Sequence, residues 1–191
     1  MQRNWFGDER DLWKWTVAIR AARRVQGEIV YVGMVRKNER DQRCGYEPVV
    51  LNFFRGEHSL DDISELGLRA GSLIVPFLEV YTRPKWKEYL EPVIAHLRSR
   101  PQGQRSVVLI DPDTGLCIQN PTARHVRQDE LQHIWQEIRP GDVLLIYQHQ
   151  QRRGEWHKES ADKLAACLHV AEDRVGRLRC KDVCMLEINK T

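Results

Sequence analysis

Nothing in this 191-residue chain approaches the roughly 18 consecutive apolar residues that a membrane-spanning helix requires. The amino-terminal stretch Met1-Gln2-Arg3-Asn4-Trp5 lacks the apolar core of a secretory signal. A cytoplasmic protein without membrane contact is the expectation. Disorder-like composition is missing too: 41% of residues are hydrophobic and 30% charged, and no repeat or low-complexity linker divides them. That predicts a single domain over residues 1–191 with a sizeable core. The five cysteines are odd in number and scattered, and Cys180-x3-Cys184 has no second Cys/His pair at zinc-site spacing, so free buried thiols are expected. Excess charge of one sign is also slight, at +3. It permits contact with RNA or DNA without demanding it. Arg20, Arg23 and Arg24 form one basic cluster and Arg36, Lys37, Arg40 and Arg43 another, but Glu39 and Asp41 interrupt the second, which also reads as a solvated loop.

What is present is alternation. Asp8 caps a helix that places Leu12, Trp15, Ile19 and Ala22 on one face, and Gly27 ends it. Glu28 to Val35 is β-branched and apolar, a buried strand. Pro48 to Phe54 reads as a second strand, Ser59 to Arg69 as a short helix, and Ser72 to Val80, because of Pro76, as an edge strand, a broken strand or a loop lining a pocket. A helix through Trp86, Tyr89, Leu90, Val93, Ile94 and Leu97, with a kink expected at Pro92, leads to the strand Ser106 to Asp111. Leu131, Ile134, Trp135 and Ile138 mark the next helix, Asp142 to Tyr147 the next strand, and Ala161, Leu164, Ala165 and Leu168 a further helix. A strand pair, Arg174 to Cys180 and Asp182 to Asn189, closes the chain. Helices alternating with continuously apolar strands predict an α/β fold with a mostly parallel central sheet covered on both faces, Rossmann-like in plan.

In such sheets ligands bind beyond the carboxyl ends of the strands. Three segments converge there. Gly7-Asp8-x-x-Asp11-x-x-Lys14-Trp15 sets acids and a base on successive turns at a helix start, which also reads as a capped, self-paired terminus. Asp111-Pro112-Asp113-Thr114-Gly115 delivers two carboxylates at a strand end, able to bind a hard cation, accept from an amine, or cap a turn. Tyr147-Gln148-His149-Gln150-Gln151-Arg152 brings a histidine suited to general base or ligand and an arginine suited to a phosphate or carboxylate. Asp111, Asp113, His149 and Lys14 are the candidate catalytic residues, and Asp8, Asp11, Tyr147 and Arg152 the candidate binding residues. His125 and His133 read as surface or packing residues. Of the six tryptophans, Trp5, Trp13 and Trp156 lie off the clearest apolar stripes and are the ones placed to flank a ligand.

These three blocks, in this order, resemble a group of uncharacterised bacterial proteins with the pattern GDxxDxxKW, DPD(N/T)GL and YQHxxR. The chain is more distantly similar to the bacterial adenine-N6 methyltransferases of large-subunit ribosomal RNA, which begin with a Gly-Asn-x-x-Asp-x-x-Lys-His block and carry Asp-Pro-Pro-Tyr after a buried strand. The resemblance implies a methyltransferase-like fold and S-adenosylmethionine as cofactor. It aligns Gly7, Asp11 and Lys14 with the first block and Asp111 and Pro112 with the second, and gives Asp111 the task of orienting an exocyclic amine. Asp113 and Thr114 stand where the second proline and the stacking aromatic would be. The glycine-rich turn that holds the cofactor is reduced to Gly33 in Val32-Gly33-Met34-Val35, so weak or no cofactor binding is expected. Two other readings stay open. One is a metal-dependent phosphodiester hydrolase with Mg²⁺ or Mn²⁺ on Asp111 and Asp113, Asp8 or Asp11 completing the shell and His149 activating water. The other is a non-catalytic binding or regulatory protein on the same fold.

Overall fold

The computed structural model describes residues 9–34, 48–54, 62–78, 85–122, 124–151 and 154–191. Asp8, Arg152, Trp5, Ser59 and the charged stretch 36–43 lie outside them. Six strands make one sheet: β1 (Glu28–Gly33), β2 (Ile74–Phe77), β3 (Ser106–Asp111), β6 (Val143–His149), β7 (Gly176–Cys180) and β8 (Val183–Asn189), in the order β2-β1-β3-β6-β8-β7. The first four of that order are parallel, and β8 runs antiparallel to both β6 and β7. β4 (Gly115–Leu116) and β5 (His125–Val126) form a separate short pair. The expected mostly parallel sheet and closing strand pair are present, and Pro76 lies on an edge strand, one of the three readings of its segment.

Alternation of side chains along each strand builds two core layers. Ile29, Tyr31, Val107, Leu109, Val143, Leu145 and Tyr147 pack under α1 (Glu9–Val25), α2 (Pro48–Phe54) and α3 (Ile63–Ala70). Val30, Val32, Val108, Ile110, Leu144 and Ile146 pack under α4 (Trp86–Ser99), α5 (Gln128–Glu137) and α6 (Trp156–Leu168). The strand order reverses between β1 and β3. In open α/β sheets, ligands bind beyond the carboxyl ends of the strands at such a reversal. No described helix is long and apolar enough to cross a membrane.

One local expectation is corrected. Pro48 to Phe54 is a helix, not a strand: Val50 and Phe53 are buried three residues apart, and proline suits a first helical turn. A short apolar run does not distinguish the two by periodicity. α1 ends at Val25, ahead of Gly27 as expected, with Gln26 in the left-handed conformation (φ 55°). Glycine at 27 also admits the Arg105 carbonyl, which a Cβ would meet at 2.5 Å. Trp156 is buried in the α4–α6 layer.

The amino ends of the strands are locked by a buried polar network. Arg100 donates to both carboxylate oxygens of Asp142, at 3.0 and 2.8 Å, and to Ser106 Oγ. Asp142 also accepts from the Ser106 and Arg139 backbone N–H groups, at 2.7 and 2.8 Å. Ser106 Oγ donates onward to Glu28, which also meets His96 Nε2 at 2.9 Å. Removing one member of a buried pair leaves the other charge uncompensated, at about 3–5 kcal/mol. Arg100→Leu is therefore expected to lower folding stability by that order in urea denaturation. Loss of less than about 1 kcal/mol would show that the network does not hold the sheet.

Candidate functional site

α1 starts at the carboxyl edge of the sheet and lays its first turns over β3 and β6. Lys14 is fully buried there, an unusual place for a lysine unless it is paired. Its Nζ donates to Asp11 Oδ1 at 2.5 Å and to Asp111 Oδ2 at 2.7 Å. Tyr31, from β1, donates its hydroxyl to the same Asp111 oxygen at 2.7 Å. Asp11 and Asp111 are buried as well. Three rings surround the ammonium, with centroids at 5.3 Å for Tyr147, 5.8 Å for Tyr31 and 6.0 Å for Trp15, close enough for cation–π attraction.

The electrostatics follow from this packing. Burial disfavours the Lys14 ammonium, but the Asp11 and Asp111 carboxylates outweigh it and raise the lysine above its ordinary value. Burial likewise opposes ionisation of Asp111, yet the charge of Lys14 and the hydrogen bonds from Lys14 and Tyr31 hold its carboxyl below the usual range. Tyr31 is pushed well up by burial and by Asp111, so it remains a phenol and a donor. Both hydrogen bonds to Asp111 end on Oδ2. Trp15 Nε1, buried in the same layer, has no hydrogen-bond partner.

The loop after Asp111 is held by a residue the sequence reading passed over. The Gln148 side chain is fully buried; its Oε1 accepts from Leu116 N at 2.8 Å, and its Nε2 donates to Thr114 O at 3.2 Å and His149 O at 2.9 Å. Gly115 makes this contact possible, since it has φ 110° and a Cβ there would overlap the Gln148 amide. Asp113 forms an ion pair with Arg124, at 3.7 Å. His149 is half-buried and packs edge-on against Tyr147, with ring centroids 4.9 Å apart. Burial and the Arg10 guanidinium push its pKa down to about 4, against the pull of Asp111, Asp182 and Asp113. It is neutral at pH 7 and, as a general base, weak.

The structure therefore brings together Asp11, Lys14, Asp111, Tyr147 and His149, sets Asp113 within electrostatic reach of His149 while it pairs with Arg124, and leaves Asp8 and Arg152 outside the described residues. Tyr31 and Gln148 are the additions. Tyr31 carried a signal, because a phenol inside a doubly buried strand must find a partner for its hydroxyl; Gln148 carried little. Among the described residues no three His, Cys, Asp or Glu side chains are grouped to hold a metal ion. The cation between the acids is Lys14. Trp13 is half-buried against the α1–α3 layer. The four described cysteines are free, and burial pushes the Cys167 and Cys184 thiols up to about 11. No family model, curated protein or solved structure matches this chain.

Two outcomes test the electrostatics. Lys14→Met removes the ammonium that Asp11 and Asp111 share in a buried setting, and is expected to cost about 3–5 kcal/mol in urea denaturation. Asp111→Asn keeps the Lys14–Asp11 pair and should cost far less. The pH dependence has a definite sign. Asp111 is depressed below 3.8, so its contribution is present above that value and is lost as the pH falls through the folded pKa. His149 falls from 6.5 unfolded to about 4 folded, so the unfolded chain binds the extra proton between these values. Stability should decline as the pH drops across that window, and His149→Gln should flatten the decline. A histidine ring titration by NMR with a midpoint near 6.5 for His149 would overturn this account.

Proposed function

We infer that this chain is a methyltransferase-like α/β protein, diverged from nucleic-acid adenine methyltransferases, that recognises an exocyclic amine at Asp111. One observation carries the reading. Lys14 from the amino-terminal block and Asp111 from the strand-end block, 97 positions apart, share a hydrogen bond, with Asp11 of the first block on the other side of the ammonium. The two blocks that carry the resemblance form one cluster beside the point where the strand order reverses.

The chemistry of the cluster suits an amine. Lys14 and Tyr31 keep Asp111 ionised and fix Oδ2, and Oδ1 would accept an N–H from a base. A fixed carboxylate in a low-dielectric setting favours a donor with positive character. The cofactor end fits less well. A Cβ on Gly33 would meet the Leu78 side chain at 2.9 Å and the Tyr31 ring at 3.1 Å, so packing accounts for this glycine without a cofactor cradle. With Thr114 at the place of the stacking aromatic, the activity proposed is recognition of a base in RNA or DNA, not transfer to it. The metal-dependent hydrolase lacks comparable support, because the Asp111 carboxylate already holds a lysine and Asp113 pairs with Arg124.

Calorimetry with adenosine, inosine and S-adenosylmethionine tests this. Adenosine should bind better than inosine, which lacks the amine, and Asp111→Asn should weaken adenosine about tenfold or more, the scale of a hydrogen bond to a charged group. S-adenosylmethionine should give little or no heat. Micromolar binding of that cofactor would move the reading to an active transferase, and adenosine binding indifferent to Asp111→Asn would sink the recognition role.

A further inference from the structure

At the far side of the sheet, β7 is an open edge. Among the described residues it pairs with β8 alone, and Gly176, Arg177, Leu178 and Arg179 are all exposed. An edge strand offers unpaired backbone N–H and C=O groups to any extended chain that lies beside it. Proteins blunt such edges with proline, bulges or charge. Gly-Arg-Leu-Arg-Cys has no proline, and its register with β8 runs unbroken from Gly176↔Glu187 to Cys180↔Val183. Charge is the device that remains.

Register fixes where the charge points. Arg177 lies opposite Leu186 and Arg179 opposite Cys184, both of the α4–α6 layer, whereas Leu178 lies opposite Met185 of the other layer. The two arginines share one face of the edge and Leu178, 41% exposed, takes the other. Neither guanidinium forms an ion pair with a described residue; the neighbouring Glu187 is taken by Arg24, and Lys181 by Glu9. A second copy pairing antiparallel about Leu178 would set Arg177 against Arg179 of its mate, and like charges directly opposite are destabilising. The edge therefore rejects its own copy and favours a strand of opposite sign.

We propose that β7 docks an extended acidic peptide by strand addition, with acids at alternate positions facing Arg177 and Arg179 and an apolar residue between them beside Leu178. Main-chain hydrogen bonds would supply affinity, and the alternating side chains register. A nucleic-acid strand could meet the arginines but would leave the backbone groups and Leu178 unused. This surface is independent of the carboxyl-edge site.

The probe is a synthetic peptide alternating Glu and Val, compared with a Lys/Val peptide and a single-stranded oligonucleotide, each titrated into the full chain and followed by amide NMR and hydrogen exchange. The Glu/Val peptide should shift and protect the amides of 176–180. The double variant Arg177→Glu, Arg179→Glu should weaken it at least tenfold and make the Lys/Val peptide bind instead; both positions are exposed, and the unchanged remainder of the spectrum reports that the fold is intact. Absence of a β7 response to the Glu/Val peptide, or an equal response in the reversed variant, overturns the proposal. So does a β7 response to the oligonucleotide that the peptide does not share.

Discussion

A single buried ammonium fixes how the first helix meets the sheet. Lys14 cannot stay charged in an apolar layer without compensation, and the carboxylates that compensate it come from its own helix and from the last residue of β3. α1 can then neither slide nor rotate over the sheet without stranding a charge. The orientation of that helix decides which side chains stand over the carboxyl edge: Arg10 reaches Asp182 ahead of β8, Glu9 reaches Lys181, and the Trp15 ring packs edge-on to Tyr31 at 4.7 Å. Apolar burial holds the layers together, but it has no direction. Direction comes from the ion cluster.

The two ends of the sheet use the same physics. At the amino ends, both oxygens of Asp142 are taken by Arg100 and by backbone donors, and Ser106 relays the network to Glu28. One atom there, Glu28 Oε2, lacks a partner. At the carboxyl ends, Lys14 and Tyr31 both donate to one oxygen of Asp111, and the half-buried His149 stays neutral. Both networks tie strands to elements that cross them, and a satisfied buried pair rigidifies what it joins.

Much of this was legible in the sequence, for reasons that separate by length scale. Long periodic helices and continuously apolar strands announced themselves, and Asp111 at the mouth of such a strand located the edge where Lys14 and His149 are also found. Pro48 to Phe54 was misread because seven residues hold too few periods to separate helix from strand. Gly27 was read as a local stop, and it also admits the Arg105 carbonyl, a contact between segments far apart in sequence. Such contacts are tertiary and invisible to spacing.

Gly33 and Gly115 show why the same signal has to be read twice. Each is a glycine beside the candidate site, and in an α/β protein a glycine there suggests room made for a ligand. Gly115 makes room for Gln148, which pins the loop carrying Asp113 and Thr114 onto β6, and Gly33 makes room for Leu78 and Tyr31. Both glycines thus serve the side chains that position Asp111 rather than a bound group: Tyr31 by holding its carboxylate, Gln148 by holding the backbone just beyond it. The site is accordingly organised around one oriented carboxylate with its supports packed tightly behind it.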